Sequence, residues 1–294
     1  MRNYQNVNIE NIETFYDNQR NGIEVAQVKY GKSILGLGRS SDNLGVYGEL
    51  GLYPLYIDAI ERMLKYWLFM ENESENGLLK EALSCSKIMN EQNRNSWMKF
   101  AQNICTLSED CSNHNPEILL SKKIIFKLIQ TLKQNYRNWW KKNLLSDEKT
   151  KSRNGRKLRT YRKFKEHHSQ ETYLSIISDR NMRTSMTKFR VSDHRLQIEI
   201  GRHQNIPLEE RICRKCDINE VENECHALLL CPYYNDERTT FINIVRQLNP
   251  NFDTLGTQEQ FMWLLSNPDE RIIMASAKFI HKIINPRVSH SNNT

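Results

Sequence analysis

Apolar residues recur at helical spacing along most of this chain. From Leu55 to Met70, the residues Ile57, Ile60, Leu64, Trp67 and Leu68 fall on one face, and Pro54 suits the first helical position. Leu78 to Met89 and Ser96 to Leu107 predict two shorter helices, the second carrying Trp97, Phe100, Ile104 and Leu107. Pro116 opens the longest candidate, Glu117 to about Leu145, with Leu120, Ile124, Leu128, Leu132 and Trp139 as its stripe. Between Glu171 and Arg202 a helical pattern holds Tyr173, Leu174, Ile177, Met186 and Phe189, while the alternation of Leu196, Ile198 and Ile200 predicts a short strand. Asn235 to Leu248, Gln258 to Leu265 and Asp269 to Ile284 complete the pattern, and Pro286 stops the last helix.

Glycine and polar residues punctuate these elements. The first thirty residues, rich in Asn, Gln, Glu and Asp, read as a polar leader or the remnant of an upstream element. Gly31-Lys32-Ser33 half-matches a phosphate-binding loop, but Ala26 stands where that loop needs glycine. The glycines Gly36 and Gly38 that follow oppose the helix such a loop must open. The glycines from Gly45 to Gly51 predict a turn, and the Ser/Asn/Thr tail after Pro286 is expected to be disordered.

Composition adds a polyanion to the possible partners. The mean hydropathy is −0.69 and the isoelectric point near 9.0. No apolar run approaches the roughly 18 residues needed to cross a bilayer, and the polar start lacks an export signal, so an intracellular place, nucleus or cytoplasm, is expected. Charge is concentrated. Between Lys141 and His168 eleven Lys/Arg face three acids, a surplus of eight against +7 for the whole chain. Within this stretch Leu158, Tyr161 and Phe164 are interleaved with Arg156, Lys157, Arg159, Arg162, Lys163 and Lys165. Cations that neutralise phosphates, with aromatics that stack on bases, fit a nucleic-acid-binding segment.

The seven cysteines change the picture again, because four fall within nineteen residues. Cys213, Cys216, His226 and Cys231 form a C-x2-C-x9-H-x4-C pattern, which suits one closed, structural Zn2+ site with no position left for a substrate water. Cys225 competes with His226, since C-x2-C-x8-C-x5-C would make an all-thiolate site. Three thiolates and Zn2+ carry about −1, so the metal cannot anchor phosphate; Arg211, Arg214 and Lys215 beside the knuckle are the candidates. A ubiquitin-ligase-type domain would need eight ligands where at most five are present. There is no His-Glu-x-x-His, nor a His-x-Glu beside a CxxC, for an open catalytic metal.

Several phrases resemble one known region. Asn43-Leu-Gly-Val-Tyr-Gly48-Glu49-Leu50-Gly51-Leu-Tyr-Pro54-Leu55, Lys157-Leu-Arg-Thr-Tyr161 and Thr187-Lys-Phe-Arg-Val-Ser-Asp-His194 through Arg202 are similar, in that order, to the C-terminal part of non-LTR (LINE-type) retrotransposon reverse transcriptases. Cys213-x2-Cys216, followed by Glu224-Cys225-His226-Ala-Leu-Leu-Leu-Cys231-Pro232-Tyr233-x4-Arg238, resembles the zinc-binding segment that ends such proteins. The resemblance runs from about Gly22 to Ile284 and favours His226 as the ligand.

A polymerase needs paired aspartates for two metal ions, yet no Asp-Asp occurs here. Pro268-Asp269 is not followed by the acid-x-Lys of a family-type nuclease. The resemblance therefore implies a module without polymerase or endonuclease chemistry, whose catalytic region would lie upstream of Met1. Its expected partners are RNA or DNA, not a membrane or a small-molecule substrate. The competing expectation is a helical protein-interaction protein whose zinc is purely structural.

The fold class expected is mainly α: a multi-helix, bundle-like region followed by a basic helical segment, a small zinc-stabilised lobe and C-terminal helices. The corresponding boundaries are 1–30 for the leader, 31–145 helical, 146–212 basic, 213–235 zinc-binding, 236–285 helical and 286–294 tail.

Overall fold

The computed structural model describes residues 22–72, 75–92, 94, 96–105, 120–146 and 157–285. The polar start up to residue 21, most of the linker after residue 145, and the tail from residue 286 lie outside these. Helices dominate, and the β pairings among the described residues are two isolated bridges, Leu50 with Gln170 and Ile212 with Val221. The mainly α expectation holds. The chain divides into two compact units, one built from residues up to Gln27 with Tyr53–Trp140, the other from Val28–Leu52 with Lys141–Thr294.

The first unit holds helix α3 (Leu55–Asn72), α4 (Gly77–Glu91), α5 (Trp97–Cys105) and most of α6 (Lys122–Leu145). The stripe read from α3 is the buried one: Ile57, Ile60, Leu64, Trp67 and Leu68 are all buried. It packs against α4 and α5, which bury Leu83 and Met98, Ala101 and Ile104. On α6 the core face carries Ile125 and Ile129 beside Leu128 and Leu132, whereas Ile124 is half-exposed. Buried Glu24, near the start of α1 (Gly22–Leu35), caps α3: its carboxylate accepts the Leu55 and Tyr56 amides at 3.2 and 3.0 Å. An anion at a helix N-terminus satisfies orphan N–H groups and complements the macrodipole. Gly22 to Tyr30, read from the sequence as the end of the leader, are helical.

Two findings concern glycines, the second a correction. Gly31-Lys32-Ser33 lies inside α1 and not at the N-terminus of a helix, so no phosphate cradle forms. Gly31 is there for packing: a Cβ would come within 2.7 Å of Val46 Cγ1. The stretch read as a turn, Gly45 to Gly51, is mostly a helix, α2 (Asn43–Leu50), capped by Asp42, whose carboxylate accepts the Leu44 amide at 2.9 Å. Gly51 ends it at φ 62°, the left-handed cap position that glycine takes most readily.

The second unit is organised around the last helix, α13 (Glu270–Ile284), whose Ile272, Phe279, Ile280 and Ile283 are buried. Helix α9 (Arg180–Arg190) makes the most extensive contact with it. The short α8 (Tyr173–Ile176), α11 (Asn235–Leu248) and α12 (Thr257–Ser266) pack against other parts of α13. Leu196–Ile200 is not a strand. Helix α10 (Gln197–His203) occupies it, and the Gln197 amide at its start donates to the Glu222 carboxylate at 2.7 Å. The basic phrase contributes only one turn, α7 (Tyr161–Phe164), packed against α12.

Polar side chains from distant parts of the chain close this unit. Glu49 of α2 is fully buried and pairs with Arg190 of α9 at 3.0 Å, while the Tyr173 hydroxyl donates to the same carboxylate. Arg190 also reaches Glu171 at 2.6 Å and the Leu265 carbonyl at 2.5 Å, so the buried guanidinium is widely satisfied.

Candidate metal centre

Cys213 and Cys216 sit on a tight knuckle. The Cys213 amide donates to the Glu220 carbonyl and the Glu222 amide to the Arg211 carbonyl, each at 2.9 Å, closing a small hairpin around the Ile212–Val221 bridge. Within it the Lys215 amide points at Cys213 Sγ, 3.4 Å away. The other two ligands come from one wide, π-type turn, His226–Leu230. The Cys231 amide closes that turn on the His226 carbonyl at 2.7 Å, which brings two residues five apart to face the same point. Asn223 caps the turn, accepting the His226 amide at 2.8 Å. Arg238 clamps its far end, donating to the Leu228 and Cys231 carbonyls at 3.0 and 2.5 Å.

The four ligand atoms of Cys213, Cys216, His226 and Cys231 all lie within 4.8 Å of one another. Cys213 Sγ is 3.9 Å from Cys231 Sγ, and Cys216 Sγ is 3.4 Å from His226 Nε2. Tetrahedral ligands at metal–sulfur distances of about 2.3 Å would be separated by about 3.8 Å, so the cluster matches a closed four-coordinate ion. Cys225 is outside it. Its Sγ accepts a hydrogen bond from Gln258 at 3.4 Å, and burial first, with Glu224 adding to it, pushes the thiol up to about 11. Spacing left His226 and Cys225 as rivals; the wide turn selects His226.

Burial likewise raises the Cys213 and Cys231 thiols, and Glu222 reinforces the effect on Cys213. Without an ion these cysteines hold their protons; a bound cation supplies the charge that makes them thiolates. Glu220 was missed by sequence reasoning. Its Oε2 lies 3.3 Å from His226 Nδ1, the carboxylate–imidazole arrangement that leaves Nε2 for the metal. An acid six positions before the histidine gives no periodic signal, and only the folded hairpin reveals the pairing.

Glu224 was also missed as a site residue, and it ties this lobe to the basic phrase. Its buried carboxylate accepts from Arg159 Nη2 at 3.0 Å, Thr160 Oγ1 at 2.9 Å and Ser192 Oγ at 2.7 Å, with His194 Nε2 at 2.9 Å. Burial alone would raise its pKa, but Arg159 and His194 hold it far below the usual carboxylate range. Ser192 stands at φ 56°, a left-handed conformation unusual for serine, and its hydroxyl bond to Glu224 helps to hold it there.

The residues expected to meet nucleic acid separate into two groups, apart from Arg156, which lies outside the described residues. Five are turned inward, a correction to the picture of one basic surface. Lys157 pairs with Asp193 at 3.0 Å, Arg159 with Glu199 and Glu224, and Lys165 with Glu171. Tyr161 is wholly buried, its ring edge-on to Phe164 at 5.5 Å. Arg211 lies over Gly201, where a Cβ would meet its side chain, and donates to the Ile198 and Ile206 carbonyls. Acids outside the basic stretch neutralise Lys157, Arg159 and Lys165, which a charge count within that stretch does not register. Lys163, Arg214 and Lys215 are exposed and Arg162 is half-exposed. Lys215 Nζ stands 5.0 Å from the ring centroid of Tyr233.

Among the described residues no helix is long and apolar enough to cross a membrane. Compared with protein-family models, curated proteins and solved structures, the chain matches none.

Proposed function

We propose that this chain is the nucleic-acid-holding C-terminal module of a non-LTR retrotransposon reverse transcriptase, with one structural Zn2+ on Cys213, Cys216, His226 and Cys231 and no polymerase or endonuclease chemistry of its own. The observation that carries the reading is the ligand cluster itself, because the histidine favoured by the resemblance is the one that converges with the three cysteines. A second support is that the phrases bearing the resemblance meet in one unit: Glu49 with Arg190, Lys157 with Asp193, and Arg159 and His194 with Glu224. Zinc suits three thiolates and an imidazole, and in this role the ion is architectural. The contacts to RNA or DNA then fall to Arg162, Lys163, Arg214 and Lys215, which bind backbone phosphate with little regard to sequence. Zinc stoichiometry of the purified chain tests the metal, with about one ion expected and none in Cys216→Ser. A salt titration of oligonucleotide binding tests the rest: affinity should fall steeply with salt.

One observation favours the alternative, a helical interaction protein with structural zinc alone. Lys157, Arg159, Lys165 and Arg211 serve the fold, leaving fewer cations for phosphate than composition suggests. That reading predicts one zinc and no oligonucleotide binding at physiological salt.

A further inference from the structure

We infer that Tyr233, topped by Lys215, is a stacking platform for an unpaired base of a single-stranded nucleic acid, and that the metal assembles it. The inference rests on the nucleic-acid reading above and goes beyond it by naming the recognition element and the form of the ligand. Tyr233 is 57% exposed, in contrast to Tyr161 and Tyr173, whose rings are in the core. Its neighbour Tyr234 is buried, edge-on to Tyr233 at 4.9 Å and to Phe279 of α13 at 6.4 Å. The Pro232–Tyr234 turn is thereby anchored to the core while the Tyr233 ring faces water. Lys215 Nζ stands 5.0 Å from that ring, and Arg214 beside it is exposed. A presented ring with adjacent cations matches a nucleotide, whose base stacks while its phosphate is neutralised. A duplex hides its base faces, so the platform selects unpaired strands.

The ring and the cation come from opposite sides of the metal site. Lys215 lies between the knuckle cysteines Cys213 and Cys216, and Tyr233 lies two residues after Cys231. The four ligand atoms within 4.8 Å mean that an ion bound there holds the knuckle against the returning turn. The metal need not touch the ligand to control its binding.

The test uses the full zinc-loaded chain with a labelled uridine oligonucleotide, the matching thymidine oligonucleotide and a duplex of the same length. Tyr233→Leu should weaken both single strands about tenfold and leave the duplex unchanged, with Tyr233→Phe close to wild type. The salt slope should stay constant in Tyr233→Leu and drop by about one in Lys215→Gln. Chelated wild-type protein should bind single strands no better than Tyr233→Leu. Equal weakening of both single strands supports a shared base-stacking site, whereas a larger effect on uridine assigns RNA as its ligand. As a check independent of folding, Tyr233→Trp should show indole quenching on saturation with either single strand. Unquenched indole at saturation, or wild-type single-strand affinity in Tyr233→Leu, overturns the platform while the module reading stands. A wild-type chain that binds none of the three probes removes both. Tighter binding of a glutamate-rich peptide than of either oligonucleotide also overturns the platform, in favour of an acidic protein partner.

Discussion

Arg159 and Glu224, sixty-five positions apart in the sequence, form a salt bridge at 3.0 Å in which the carboxylate is almost wholly buried. The arginine comes from the most cationic stretch of the chain, and the glutamate lies two residues before His226 of the candidate metal cluster. The basic phrase is thus a strut of the metal lobe as well as a source of charge. Removing one member leaves the other with only part of its partners, Glu199 for Arg159 and Thr160, Ser192 and His194 for Glu224, which costs about 1–3 kcal/mol. Arg159→Gln and Glu224→Gln should each lower stability in urea unfolding by that order. Because both remove the same pair, the double variant should be much less destabilised than the sum of the two. Strict additivity would show that the pair is not a unit.

The two rival ligands, Cys225 and His226, give opposite expectations. Cys225 Sγ contacts Gln258 and stands apart from the cluster, so Cys225→Ser should keep a full complement of metal and change stability by about 1 kcal/mol or less. His226→Ala should lose the metal, since a closed site has no spare ligand. Glu220→Ala should retain the ion with affinity lowered about 10- to 100-fold, as when a supporting carboxylate is taken from a ligating histidine. Competition with a chromophoric chelator measures all three. Metal loss in Cys225→Ser together with retention in His226→Ala would exchange the two assignments.

Some of this was legible in the sequence and some was not, for physical reasons. The α3 stripe could be read because a helix that buries one face repeats its apolar residues at a fixed period, and Ile57, Ile60, Leu64, Trp67 and Leu68 obey it. The alternation of Leu196, Ile198 and Ile200 misled, because those residues lie in and just before a seven-residue helix whose start is held by Glu222, a partner twenty-five positions away. Gly45 and Gly48 looked like turn residues. A Cβ on Gly45 would meet Val191 Cγ1 at 3.2 Å, so the glycine serves helix packing there. The ligand spacing announced a metal site, but the choice between His226 and Cys225 depends on the wide turn, which spacing does not encode. The inward direction of Lys157, Arg159 and Lys165 was hidden for the same reason as the strut: their acids lie elsewhere in the sequence or fold.

Close packing at Gly31 and the backbone geometry at Gly51 make separate predictions. Gly31→Ala pushes a methyl to 2.7 Å from Val46 Cγ1, and overpacking of this kind costs about 1–3 kcal/mol. Gly51→Ala should be at least as damaging. It combines φ 62° with a Cβ that would collide with the Gln170 backbone, where Leu50 makes its isolated bridge. Thermal unfolding of the two variants checks the order, and an unchanged midpoint for Gly51→Ala would contradict the described junction.

The Asp193–Lys157 pair gives the chain a pH dependence whose sign can be worked out. Burial would raise the Asp193 pKa, but the Gly38 amide at 2.7 Å and the Lys157 ammonium at 3.0 Å bring it below its ordinary 3.8. A carboxyl depressed in the folded state releases its proton more readily there than in the unfolded chain. Its stabilising contribution is complete above about 3.8 and declines as the pH falls below that value. Asp193→Asn keeps the shape and removes the charge, so the stability gap between wild type and variant should be constant from neutral pH to about 5 and close at lower pH. The gap is the quantity to follow, because acid would also release an ion held by Cys213, Cys216, His226 and Cys231 and lower both proteins alike. Urea unfolding across this range measures it. A gap that widened on acidification would mean that Asp193 is destabilised as a carboxylate, contrary to its contacts with Gly38 and Lys157.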